Sequence, residues 1–129
     1  MTIAVLDASA LLALLRSEPG AERVRAALPD AAMSTVNLAE VVGHFARSGA
    51  AEDEIREVLQ PLPIRLVPFT DELATVAGLL APLTRRAGLS LGDRACLALA
   101  RQLNAYALTA DRSWQGLSSA LDIAIDLIR

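Results

Sequence analysis

Lysine is absent from this chain: all twelve basic residues among its 129 are arginine. That excludes mechanisms built on an ammonium group, whether a P-loop, a Schiff base or the phosphate-sensing lysine of receiver domains. Cysteine occurs once, at Cys96, so no internal disulfide forms and a reducing compartment is expected. Aromatic residues make up 3% of the chain, which leaves a core of Ala, Leu, Val and Ile within a hydrophobic share of 53%. Long apolar runs are missing too. The eight residues from Ala8 to Leu15 are too few to cross a bilayer, and Asp7 stands where a secretory leader carries positive charge. The chain is therefore expected to be soluble and cytoplasmic, with no membrane partner. A net charge of -3 gives no global basic footprint, so any nucleic acid must be held by locally placed arginines. There is no internal repeat, low-complexity tract or linker. One domain over residues 1–129, large enough to bury a substantial core, is expected.

What is present is organised around the stretch Thr2-Ile3-Ala4-Val5-Leu6-Asp7-Ala8-Ser9, where a continuous apolar run ends abruptly in a carboxylate. A run without polar alternation suits a strand buried on both faces, as in a parallel sheet covered by helices. Asp7 then lies at the strand's C-terminal end, the edge where open α/β sheets bind ligands. Helices are expected over Ala8 to Leu15 and Ala21 to Leu28, with Ala31 to Ser34 the second strand. A further helix begins at Asn37, with Leu38, Val41, Val42 and Phe45 at helical spacing. Ala51 to Leu59 is an acidic amphipathic helix turning Ile55, Val58 and Leu59 inward, and Ile64 to Phe69 is the third strand. A long helix from Thr70 to Ala87 is kinked or divided at Pro82. Another opens at Ser90, Ala105 to Thr109 is the fourth strand, Ser113 to Leu117 a short helical turn, and Ile123 to Ile128 the last strand. The alternation predicts an α/β fold with a mostly parallel sheet covered on both sides.

Four acids occupy corresponding places. Asp7 and Asp111 come just past strands, and Glu40 and Asp93 in the first turns of helices. Each alone has a capping explanation: Ser90-x-x-Asp93 reads as a capping box, Glu40 follows Asn37 at the same spacing, and Asp7 and Asp111 can serve as N-caps. Together they carry a different implication, because chains entering and leaving one edge of a parallel sheet bring all four toward one crevice. Carboxylates a few ångströms apart repel by roughly 4 kcal/mol per pair at an intermediate dielectric. Such a cluster needs a cation or shared protons. Oxygen ligands without Cys or His suit Mg²⁺ or Mn²⁺ rather than Zn²⁺, and the usual work of carboxylate-held Mg²⁺ is phosphoryl chemistry.

The segments Leu6-Asp7-Ala8-Ser9, Asn37-Leu-Ala-Glu40, Leu89-Ser-Leu-Gly-Asp93 and Leu108-Thr-Ala-Asp111 resemble, in order and nearly end to end, the four signatures of PIN-domain ribonucleases of the VapC type. These are the toxins of bacterial toxin-antitoxin pairs. The resemblance implies a three-layer sandwich with a five-stranded parallel sheet in the order 3-2-1-4-5 and helices on both faces. It implies Mg²⁺- or Mn²⁺-dependent cleavage of RNA to a 5′-phosphate and a 3′-hydroxyl, with Asp7, Glu40, Asp93 and Asp111 binding the metal directly or through water. Ser9 and Thr109 match small hydroxyl positions that orient carboxylates, and Asn37 braces Glu40. The implied partners are RNA and a VapB-type antitoxin, in a homodimer that becomes a heterotetramer or larger with the antitoxin, in a bacterial cytoplasm.

Other residues keep two readings each. His44, one turn after Glu40 on the same face, either reaches the crevice or is simply packed or solvated. Arg94 and Arg112 each follow a site acid and either hold phosphate or pair with carboxylates; Arg85 and Arg86 are RNA contacts or a solvated helix end. Trp114 stacks a base or anchors the last helix. The helix from Ala8 to Leu15 and its successor are more apolar than one buried face needs, which by resemblance makes an antitoxin groove or dimer contact and otherwise plain core. Competing functions are a PIN-like RNA-processing nuclease without an antitoxin and a non-catalytic receiver-like module. The receiver module wants paired acids after its first strand and a lysine, which this chain lacks. A small-molecule phosphatase of doubly wound fold wants a second Asp where Ser9 stands.

Overall fold

A computed structural model of the chain describes residues 3–129. Thr2, the start of the first apolar run, lies outside the described residues. Five strands, β1 (Ala4–Leu6), β2 (Ala31–Ser34), β3 (Ile64–Val67), β4 (Tyr106–Thr109) and β5 (Ile125–Leu127), form one sheet in the order β3-β2-β1-β4-β5, every pair parallel. This is the expected order. The helices are α1 (Ala8–Leu15), α2 (Ala21–Ala27), α3 (Thr35–Arg47), α4 (Glu52–Leu59), α5 (Asp71–Leu79), α6 (Ala81–Thr84), α7 (Leu91–Gln102) and α8 (Ser118–Leu121).

The three layers follow from the two-residue period of the strands. Ala4 and Leu6 of β1, with Ala31 and Met33 of β2 and Leu108 of β4, face one way into a cluster with Leu11 and Leu14 of α1 and Val24 of α2. Val5, Ala32 and Ala107, one position along, face the other way onto Leu73 and Ala77 of α5 and Cys96 to Ala100 of α7. Both faces are dry, which is why these strands read as unbroken apolar runs. Trp114 is fully buried in the second cluster, so it anchors the core and is not placed to stack a base.

Two expectations need correction. Helix α3 starts at Thr35, with Ser34 as its N-cap accepting from the Val36 N–H, so Asn37 is not the cap and Glu40 lies in the second turn. Val58 points outward, because the apolar stripe of α4 narrows to Ile55 with Leu59 half-buried. Of the two outcomes expected at Pro82 the chain takes division, α5 ending at Leu79 and α6 placing Pro82 at its first turn, where a missing N–H costs nothing. A short helix, α8, precedes β5. Among the described residues no helix is long and apolar enough to cross a membrane.

Candidate active site

The strand order reverses between β1 and β4: the chain builds the sheet outward to β3 on one side, then returns to place β4 and β5 on the other. Ligands of open parallel sheets bind at such a reversal, beyond the strands' C-terminal ends. Asp7 follows β1 there, and its N–H bonds the Leu108 carbonyl of β4 at 3.2 Å.

Asp7 is 3% exposed and is held on both oxygens. Its Oδ1 accepts from the Ser9 hydroxyl at 2.7 Å and from the Ala10 N–H at 2.8 Å, the latter as N-cap of α1. Its Oδ2 accepts from the Thr109 hydroxyl at 2.5 Å. Thr109 Oγ1 in turn accepts from the Asp111 N–H at 3.0 Å, and Ser9 Oγ accepts from the Ala110 N–H at 2.9 Å. Two hydroxyls thus lock β4 and its exit loop onto one carboxylate. Burial pushes the Asp7 carboxyl up to about 6, against the pull of the hydrogen bonds from Thr109, Ala10 and Ser9, and the Asp93 charge adds to the rise. Removing one donor should be felt. Thr109→Val, of similar size, is expected to cost about 1–3 kcal/mol at neutral pH by leaving a buried anionic oxygen unpartnered. Denaturant midpoints at pH 7 and pH 4 check it, with the smaller loss at pH 4, where the carboxyl is protonated.

Glu40 reaches the site from α3. Asn37, 1% exposed, donates Nδ2 to Glu40 Oε1 at 2.9 Å and to the Gly92 carbonyl of α7 at 3.0 Å, so one amide fixes the carboxylate and ties two helices together. Gly92 leaves the room that Glu40 occupies: a Cβ at that position would lie 2.5 Å from Glu40 Cδ. Gly92 belongs to the Leu89-Ser-Leu-Gly-Asp93 segment, yet its role in making room for Glu40 depends on a residue 52 positions away and is not legible in the chain. Asp93 closes a capping box, its N–H donating to Ser90 Oγ at 3.2 Å while Oδ2 accepts from the Ser90 N–H at 2.9 Å. Asp111 caps the following 3₁₀ turn through Oδ1 and the Ser113 N–H at 2.9 Å.

The capping and metal-site readings of these acids are compatible. Caps engage Oδ2 of Asp93 and Oδ1 of Asp111, and Asn37 engages Oε1 of Glu40; the second oxygen of each carries no protein hydrogen bond among the described residues. The Cys96 thiol has its pKa raised first by burial and then by the charges of Asp7, Asp93 and Glu40. The backbone N–H of Asp111, not its carboxylate, is joined to Asp7 through Thr109. No three His, Cys, Asp or Glu side chains among the described residues stand close enough, as placed, to form a finished metal-holding group. The donor set nonetheless fits a hard divalent cation. It is oxygen-only, no member is ion-paired with an arginine among the described residues, and a cation would offset both desolvation at Asp7 and mutual repulsion.

The remaining candidates divide. His44 Nε2 lies 3.4 Å from Arg16 Nη1 and its ring packs edge-on against Phe45, away from the four carboxylates' hydrogen bonds. Cys96 is fully buried, with its thiol 3.8 Å from the Val5 carbonyl. Arg112 donates to the Arg129 carbonyl at 3.0 Å and Arg94 to the Ala77 carbonyl at 3.3 Å, while Arg85 and Arg86 are exposed in the turn after α6. An apolar groove of about 670 Å³ does border α1, but its other walls are α3, α4 and β3 rather than α2; Leu11, Met33, Leu38, Val42, Ile55 and Leu59 line it.

A family model described as PIN domain matches residues 4–118. No curated protein matches the sequence closely enough to count as a relative. Among solved structures, the chain is similar to one of a toxin-antitoxin complex from Klebsiella pneumoniae, at 21% identity over 98% of each chain with a TM-score of 0.73. VapC20 of Mycobacterium tuberculosis, described as a sarcin-ricin loop cleaving toxin, is 19% identical over 91% of this chain and 94% of its own, with a TM-score of 0.72. VapBC-5, also from Mycobacterium tuberculosis and described as a member of the VapBC family of toxin-antitoxin systems, is 26% identical over 100% of this chain and 99% of its own, with a TM-score of 0.62.

Proposed function

Since the chain belongs to the PIN-domain family, we propose that it is a metal-dependent endoribonuclease of a single domain, the toxin of a VapBC-type pair in a bacterial cytoplasm. The observation that carries this reading is Asp7, a desolvated carboxylate clamped by Ser9 and Thr109 at the sheet's reversal point with Asp93 acting on its charge. Its similarity to VapC20 and to two toxin-antitoxin structures supports the choice of RNA and of an antitoxin partner.

Asp7, Glu40, Asp93 and Asp111 would hold Mg²⁺ or Mn²⁺. Such an ion supplies activation of water and neutralisation of charge on the phosphate and the leaving oxygen. Each protein group has a distinct share. Ser9 and Thr109 fix the Asp7 carboxylate, so it need not reorganise during reaction. Asn37 holds Glu40 against Gly92, setting the distance between α3 and α7. Burial of Asp7 keeps bulk water off the innermost carboxylate. The antitoxin's segment would occupy the apolar groove between α1, α3 and α4, which is continuous with the base of Glu40's helix; the toxin would be a homodimer, and a heterotetramer or larger with its partner.

The test is direct. Purified protein should cut single-stranded and looped RNA with Mg²⁺ or Mn²⁺, leave 5′-phosphate ends, and stop on addition of EDTA. Cleavage that persists in EDTA, or none with either ion, overturns the reading.

A further inference from the structure

Between α6, the turn after it and the first turns of α7 lies a recess of about 470 Å³ lined by Ala81, Pro82, Arg85, Gly88, Leu89 and Arg94. Its ionisable walls are two guanidiniums, on a chain whose net charge is -3. Arg16, Arg23, Arg25, Arg56 and Arg129 each pair with a carboxylate, whereas Arg85 and Arg94 form no ion pair among the described residues, although Arg94 adjoins Asp93. Arg94 is also pre-set. Its Nη1 is anchored on the Ala77 carbonyl at 3.3 Å, which directs the guanidinium without neutralising it. The recess wall at Gly88 and Leu89 runs directly into Ser90, whose N–H is capped by the Asp93 carboxylate, so recess and acid share the entry to α7.

We infer that this recess is a phosphate subsite in which Arg85 and Arg94 grip a phosphodiester adjacent to the one that is cut. The inference rests on the nuclease reading above. A strand drawn toward four carboxylates meets repulsion, and a pair of unneutralised guanidiniums at the rim supplies the compensating attraction where the chain as a whole supplies none. The planar fork of arginine matches two phosphate oxygens at once. Arg86 and Arg112 lie outside the recess and are given no part.

The experiment is an anisotropy titration of a labelled single-stranded RNA oligonucleotide with the whole Asp7→Asn protein in EDTA across a salt series, alongside steady-state cleavage by the otherwise wild-type chain. Arg85→Ala and Arg94→Ala are each expected to weaken binding about tenfold and to lower the slope of log affinity against log salt by about 0.7. In cleavage, KM rises while kcat holds. Arg94→Lys keeps the charge and should restore the slope. Arg65→Ala, exposed on β3, should change neither quantity. Arg85 is itself exposed, so its variant decides the matter even if Arg94→Ala fails to fold. Unchanged affinity and slope in both alanine variants overturns the subsite while leaving the nuclease standing. So does displacement of RNA by inorganic phosphate at matched phosphate concentration, which would make the recess a free-anion site. RNA bound through these arginines but never cut keeps the subsite and removes the nuclease instead.

Discussion

Asp7→Asn should abolish RNA cleavage, by at least about three orders of magnitude, given the several kcal/mol of charge stabilisation a carboxylate-held cation supplies. The same change should make the metal-free protein more stable. Asp7 is buried and its carboxyl is pushed up to about 6 from an ordinary value of 3.8, so ionising it in the folded chain is costly. The sign is that of a raised acid: the folded state holds a proton that the unfolded state has already lost, so stability declines as pH climbs from about 4 to about 6 and is level above. At neutral pH the penalty is about 3 kcal/mol at most. Asparagine removes it and can keep the network, its oxygen accepting from Ala10 and Ser9 and its amide donating to Thr109, whose hydroxyl is 3.2 Å from that of Ser9. A gain of roughly 5–10 °C in Tm is expected at pH 7, shrinking toward pH 4. Added Mn²⁺ should raise the Tm of the wild type and not of the variant, since an ion that binds only the folded chain stabilises it by mass action. Calorimetry at pH 4 and pH 7, with and without Mn²⁺, checks all of this. Retained cleavage, or a variant that melts lower at pH 7, contradicts it.

Gly92→Ala should separate activity from stability in the same direction by another route. The new methyl would meet the Glu40 carboxylate at 2.5 Å from Cδ, and Glu40 is the end of a flexible, exposed side chain, so it swings away at little cost to the fold. Alanine inside a helix is favoured over glycine by about 0.8–1.0 kcal/mol. Stability should therefore hold or rise slightly. Swinging away breaks the Asn37 bond and misplaces a carboxylate, and misplacement by about 1 Å costs on the order of 10² in rate. The expected outcome is a drop in kcat of that order with an unchanged or higher denaturant midpoint. A variant as active as the wild type would show that Glu40 has no required position. An unfolded one would show that Gly92 serves the packing of α3 on α7 instead.

Much of this architecture was readable because its causes are local. The apolar runs ending at Leu6 and Ser34, the breaks at Pro19-Gly20 and Pro82, and the Ser90-x-x-Asp93 box act within a few residues, and strands and helices followed from them, whereas the sheet order came from the resemblance to PIN-domain ribonucleases. Where a boundary slipped, a local signal had competed with another: Asn37 read as a cap, but Ser34, three residues earlier, bonds the Val36 N–H first. Val58 read as inward because of its type, while its exposure depends on what lies opposite α4.

By itself the sequence determined which elements form, in what order, and that four acids end up at the same edge of the sheet. Tertiary structure alone decided how those acids differ. It buried Asp7 and bound it to Thr109, 102 residues away, placed Glu40 against the backbone of Gly92, and set Arg85 and Arg94 around one hollow while Arg112 was drawn to the chain's last residue. The reason is physical. Helices, strands and caps are short-range and are written in neighbouring residues. Desolvation, charge coupling and close approach depend on which distant segments meet, and they exist only once the sheet has assembled.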